Sequence, residues 1–478
     1  MTTAEKRSLP AKLLLGCLPA LALFLVAEAG LRIAGYEGTT IADIQATAGF
    51  NDSWTRRRDR DLGPWLLVDD APQPQVRTSP TYKPQGLHQV GFPLTKASDE
   101  LRLFALGGST TQGMPFDKRE QGFPERTGKL LQQRRPEVRW RVVNMGVGGL
   151  DAHELPRQVD QIMDLSPDGL LIYTGNNELV GSLVHQCSDP FRTGVERWAN
   201  EIKLLRLGRS LYRATKSHHE ILAGAQLQRH QTQCAREEVA RILAKDAQRA
   251  ASCGGSLEDC STAGDEPWQP RWPQRSDNFY LQVLDDYHRV LEQVIERATD
   301  DGVEVWLALP PLNYLAAPHH GTASMDRPQS VQKRIEDRLG LARHSAQRGD
   351  HARAITLLEE ALAADPTHAE VCYLLGSLLL ETGDASRAKL LLQRAADRDY
   401  EGNRITSGMS AVLATLCHEH PEIHCVDLRS SFEEASPDGI PRDDLFVDFC
   451  HPTFEAGVDL LATGFADEIE SWYQTRTR

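Results

Sequence analysis

At 478 residues the chain is long enough for roughly two to four structural units and a large apolar core. Its 67 acidic against 53 basic residues leave a net charge of −14, with no dominant basic block. That balance excludes nucleic acid as the main partner.

The first predicted element is residues 13–27, 15 positions without a charge. The run reaches Leu31 if Glu28 sits near an interface, short but workable against the roughly 20 residues of a spanning helix. Lys6, Arg7 and Lys12 precede it, which holds the amino terminus in the cytoplasm and sends the rest outward. Ala27-Glu28-Ala29 also suits a signal peptidase, but an anchor over residues 1–35 is the favoured reading. A lipoprotein box at Cys17 is not, since few apolar residues precede it. Residues 36–97 are polar and rich in Pro, Gly and Arg, with Arg56, Arg57, Arg58 and Arg60 clustered. They read as a linker packing on the domain that follows.

From residue 98 an αβ alternation begins. An apolar strand, 101–106, runs into Gly107-Gly108-Ser109-Thr110-Thr111, which places Ser109 at a sharp turn at the strand's carboxyl end. No Gly-Lys-Ser/Thr follows, so a phosphate loop is excluded. Thr111 stands where a G-x-S-x-G elbow needs its second glycine. A helix-capping serine remains the plain alternative to a nucleophile. A helix at 121–133, a strand at 139–144 and the turn Asn144-Met145-Gly146-Val147-Gly148-Gly149 come next. Then follow a helix at 154–165 and a strand at 169–173 that ends in Thr174-Gly175-Asn176-Asn177-Glu178. Three strands ending in Gly/Ser/Asn turns predict a parallel α/β sheet with its site at the carboxyl edge.

The alternation breaks over 181–277, a mostly helical insert with helices expected at 202–215 and 236–251. Trp268 and Trp272 lie in its Pro-rich loop, where packing is the simpler role and lining a substrate mouth the sharper one. A helix at 279–299 and a strand at 303–309 form a second core segment, 278–318. In 330–402, Gly349, Ala354, Leu358 and Ala361 recur 34 residues later as Gly383, Ala388, Leu392 and Ala395. With Pro366 and Leu375-Gly376, the period resembles the tetratricopeptide repeat, two helices per unit. Two units are too few to stand alone and must lean on a flanking helix or on the main domain. Such repeats bind protein segments, or act as a spacer. Segment 403–478 returns to the sheet with a helix at 405–420, a strand at 423–428, the stretch Asp448-Phe449-Cys450-His451-Pro452, and a helix at 455–473.

Apart from Cys17, eight cysteines remain, an even number that suggests disulfides in an exported chain. Cys253–Cys260 and Cys417–Cys425 are the best pairs, whereas Cys372, in a repeat helix, reads as core. Cys187, Cys234 and Cys450 are the others, and their connectivity cannot be read from sequence. The cluster Cys417, His418, His420, His424 and Cys425 looks like a metal site, although His418 and His420 point apart on a helix. The pairs His218-His219 and His319-His320 read as solvated.

Acyl transfer needs a nucleophile, a base, a group that orients the base, and donors for the oxyanion. Ser109, His451 and Asp448 supply the first three; the amides of Ser109 and Gly149 with the side chain of Asn177 supply the last. The plain readings are a turn cap for Asn177 and a surface pair for Asp448 and His451. Taken together the four turns resemble the blocks of the SGNH hydrolases, the GDSL-type esterases and lipases. Gly107-Gly108-Ser109 matches the serine block, with Gly108 in place of the usual aspartate. Asn144 through Gly149 matches the glycine block, and Gly175-Asn176-Asn177-Glu178 the third, with glutamate for aspartate. Asp448-x-x-His451-Pro452 matches the last without departure.

The resemblance covers about residues 98–180, 278–318 and 403–475, and is nearest to a membrane-anchored bacterial subgroup carrying tetratricopeptide repeats. It implies a flavodoxin-like three-layer α/β/α sandwich and an esterase working through an acyl-enzyme on Ser109. No cofactor and no metal is implied. The substrate would be an acylated small molecule or glycan, met outside the cytoplasmic membrane. Two other functions fit the same residues: an O-acyltransferase acting on envelope polysaccharide, and a repeat-based scaffold with a vestigial site.

Overall fold

A computed structural model describes residues 24, 26–33, 65–69, 71–79, 90–115, 122–179, 278–318, 328–399 and 403–476. The chain forms two compact units, Met1–Gly63 with Ser188–Gln233, and Pro64–Cys187 with Cys234–Arg478. In the first, residues 26–33 are helical and Arg32 pairs with Glu28 at 2.9 Å. Among the described residues no helix is long and apolar enough to cross a membrane. Most of the apolar stretch 13–27 lies outside them, as do the arginine cluster, the insert 181–277 with Trp268 and Trp272, and Cys187, Cys234, Cys253 and Cys260. His218-His219 and His319-His320 lie outside them as well.

The second unit opens with three short antiparallel strands, β1 (Leu66–Val68), β2 (Gln75–Thr78) and β3 (Gly91–Pro93). Within the segment 36–97, read from sequence as a linker packing on the core, these strands were not expected. Strands of three or four residues are too short to carry a visible alternation, and Gly91 and Pro93 disguise the last. The small sheet is clamped to the core through Arg102, a fully buried residue. Its guanidinium donates to the carbonyls of Pro93, Leu94 and Leu165 and pairs with Glu100 at 2.8 Å, while Phe92 packs edge-on to Phe104. A buried arginine is tolerated here because its donors meet acceptors on several sides.

The core sheet takes β4 (Glu100–Gly107), β5 (Arg139–Asn144), β6 (Gly169–Tyr173), β7 (Glu304–Ala308) and β8 (His424–Val426) in the order β5-β4-β6-β7-β8. All four pairings are parallel. Counted from β4, this is the 2-1-3-4-5 order of flavodoxin-like folds. Strand β6 is buried at every position, as expected of a strand covered on both faces. Between the strands run α1 (Ser109–Gln112), α2 (Phe123–Arg134), α3 (Leu155–Met163) and α4 (Asn278–Asp300).

The repeat segment follows as α5 (Gln329–Gln347), α6 (His351–Ala364), α7 (Ala369–Glu381) and α8 (Ala385–Asp397). The chain closes with α9 (Ser407–Glu419), α10 (Leu428–Ala435) and α11 (Ala456–Arg476). Leu103, Ala105, Leu171, Tyr173 and Trp306 share one core with Phe123 of α2 and Phe465 and Trp472 of α11. The alternate residues Phe104, Leu106, Leu170, Ile172 and Leu307 are equally buried on the other face, where α3, α4 and α9 pack. Strand β8 stops at Val426, short of the expected Leu428, because Asp427 caps α10 by accepting from Ser430 N.

The four repeat helices form two hairpins with their own core, in which Ala354, Leu358, Ala361, Cys372, Leu375, Ala388 and Ala395 are buried. Asp350 and Asp384, 34 residues apart, both cap the second helix of their hairpin. The repeats lean on the α/β domain as two units must: Lys389 pairs with Glu433 at 2.9 Å, and Ser407 bonds Asp397 through both its amide and its hydroxyl. Cys417 and Cys425 form the expected disulfide between α9 and β8. Cys372 is free and buried in the repeat core, as its place in a repeat helix suggests, and Cys450 is free and buried as well. Burial pushes the Cys372 thiol up to about 12.

Candidate active site

Four turns meet at the carboxyl ends of β4, β5 and β6, where the strand order reverses. Ser109 opens α1 directly after β4, and its Oγ lies 2.7 Å from His451 Nε2. His451 Nδ1 lies 2.7 Å from Asp448 Oδ2. The other carboxylate oxygen, Oδ1, accepts from the amides of Cys450 and His451 at 2.9 and 2.8 Å, so one short turn fixes acid and imidazole together.

Burial works against the Asp448 carboxylate, but the His451 ring and these two amides outweigh it and hold its pKa below the ordinary 3.8. An ionised carboxylate only accepts, so His451 Nδ1 is the donor. In the neutral ring that leaves Nε2 free to take the proton of the Ser109 hydroxyl. Ser109 is partly exposed.

The glycine turn runs alongside the serine. A Cβ on Gly148 would lie 3.9 Å from Ser109 Cβ, and one on Gly146 would sit 2.3 Å from Gln112 N. Only glycine permits that approach. Asn144 Nδ2 donates to Thr111 O, and Gly148 N donates to Gln112 Oε1 at 2.5 Å, so α1 and the turn are stapled on both sides. Among the described residues, the amides of Ser109 and Gly149 donate no hydrogen bond. Asn177 Nδ2 donates to Leu150 O at 2.9 Å, which leaves the second N–H of that amide for another acceptor. A Cβ on Gly108 would lie 2.6 Å from the same Nδ2. Glycine at 108, where the resembling family carries aspartate, lets Asn177 lie against the serine turn.

Glu178 ties these loops from behind. Its carboxylate accepts from the amides of Asn177, Gly175 and Ala152 at 2.8, 3.2 and 3.2 Å. Burial nonetheless drives its pKa up from the ordinary 4.5. A buried acid with a raised folded pKa adds stability below about 4.5 and loses it as pH rises through the raised value. Glu178→Gln cannot ionise. Its melting temperature relative to wild type should therefore become more favourable as pH climbs from about 4.5 to about 8. Melts that show a flat or opposite trend would remove Glu178 as the titrating group.

The structure thus brings Ser109, Asp448, His451, Gly149 and Asn177 into one set of adjoining turns. Gln112 and Glu178 were not singled out as supports. Gln112 carries no motif signal, and Glu178 was read only as a replacement within its block. Asp448, Cys450 and His451 also offer three ligand atoms within 4.8 Å of one another. They do not fit a metal, because Asp448 and His451 already bond each other directly, and burial with the Asp448 charge pushes the Cys450 thiol well above its ordinary value. The metal reading of residues 417–425 also fails. Both thiols are spent in the disulfide, His420 pairs with Glu422, and His424 stacks on Trp306 while bonding Glu304.

The tetratricopeptide repeat family matches residues 345–410. No curated protein matches the chain in sequence. Among solved structures, an acetylxylan esterase from Geobacillus stearothermophilus, Axe2, is 14% identical with a TM-score of 0.31, over 77% of this chain and 94% of that one. The acetyl xylan esterase AlAXEase is 12% identical with a TM-score of 0.26, over 78% and 98%. Likeness this slight leaves the function to the side chains.

Proposed function

We propose that the chain is a serine esterase of the SGNH type that cleaves an O-acyl ester through an acyl-enzyme on Ser109. The observation that carries this reading is the relay Ser109–His451–Asp448, with 2.7 Å at both steps, beside two amides that donate no hydrogen bond among the described residues. His451 takes the hydroxyl proton as Oγ attacks the acyl carbonyl, then passes it to the leaving alcohol. Asp448 holds the ring and stabilises the imidazolium. The amides of Ser109 and Gly149, with Asn177, bond the oxyanion in the tetrahedral intermediate. Water then repeats the sequence on the acyl-enzyme.

The substrate is an acylated glycan or a small acyl ester. Residues 1–35 anchor the chain, with the catalytic unit outside the cytoplasmic membrane; the lysines and arginine before the apolar stretch support that orientation. The repeats offer a surface for a protein partner. The test is purified protein with an activated acetyl ester, with and without a candidate glycan acceptor. Free acid in both reactions supports the esterase; acylated glycan at the expense of acid would make the chain a transferase instead.

A further inference from the structure

The loop that leaves β7 joins the repeats to the catalytic acid. Asn313, 1% exposed, donates through Nδ2 to the backbone oxygen of Asp448 at 2.8 Å. Among the described residues this is the one hydrogen bond that a side chain outside residues 448–451 makes to Asp448. The Oδ1 of Asn313 accepts from Leu315 N at 3.1 Å, and Leu315 O accepts from the hydroxyl of Tyr373 at 2.9 Å. Tyr373 lies on α7, inside the repeat segment. Three hydrogen bonds therefore link a repeat helix to the residue that orients His451. The same loop is held a second time just beyond. Arg404, 1% exposed and following the repeats, pairs with Asp399 two residues past α8 and donates to the carbonyls of Ala316 and Ala317.

We infer that Asn313 is a positioning residue for Asp448 and that Tyr373 sets its register from the repeats, an inference that rests on the esterase reading above. The repeat insert is then a built part of the active site's support. The chain Tyr373–Leu315–Asn313 acts through Asp448 on the angle at which the imidazole meets Ser109. Small losses of that alignment lower the rate of the chemical step without weakening ground-state binding.

A double-mutant cycle with the activated acetyl ester tests this, each variant being checked by a thermal melt. Asn313→Ala should lower kcat about tenfold with KM within about twofold of wild type. Tyr373→Phe, which removes only a hydroxyl, should lower kcat about threefold. The double variant should match Asn313→Ala alone, since both act through one bond to Asp448. If Asn313→Ala does not fold, Asn313→Asp serves instead: it keeps the acceptor for Leu315 N and loses the donor to Asp448. Losses that multiply, or folded variants with wild-type kcat or with only KM altered, would overturn the inference while leaving the esterase reading intact. An inert wild type would take down both.

Discussion

Ser109→Ala should lower kcat on an activated ester by about 10⁵–10⁶-fold, with the melting temperature close to that of wild type. The hydroxyl sits at the opening of a four-residue helix and is partly exposed, so its removal leaves no buried cavity. What is lost is the covalent route. His451→Ala should cost about as much, and the double variant no more than either, because nucleophile and base act as a unit. Steady-state kinetics on the three proteins checks this. A multiplicative double variant would mean that His451 and Ser109 serve separate steps.

Asn177→Ala should lower kcat by about 10²–10³-fold with KM little changed, since its second N–H counts only once negative charge develops on the oxygen. The other N–H holds Leu150 O, and its loss costs about 1 kcal/mol of stability, read as a small fall in melting temperature. Asn177→Asp keeps the volume and loses the donors, so it should be at least as slow. Equal turnover in wild type and Asn177→Ala would take the side chain out of the oxyanion site and leave the work to the two amides.

The strands and turns that carry these residues were legible because buried parallel strands are written as short apolar runs ending in glycine. Strands β5 and β6 fall on the residues the sequence indicates, and β4 differs by one residue at each end. The repeats were legible through a period rather than a pattern: Ala354 and Ala388 sit at equivalent places in their hairpins and are both fully buried. Strands β1 to β3 were not legible, because three or four residues are too few to distinguish an alternation from chance.

Nor were the supports of the site. Gln112 meets Gly148 across 36 residues and Asn313 meets Asp448 across 135, and no local spacing encodes such contacts. An even number of cysteines invites pairing, yet Cys450 is free and lies buried one residue from His451. The residues proposed to do the chemistry share turns with glycine and asparagine and so leave a local mark. Those that hold the turns together leave one only in the fold.

The most direct measurement is labelling of the purified protein with a fluorophosphonate, followed by intact mass and peptide mapping. The predicted result is a single adduct, on Ser109, absent from Ser109→Ala and formed far more slowly in His451→Ala. An unlabelled wild type, or an adduct that persists in Ser109→Ala, would contradict the account.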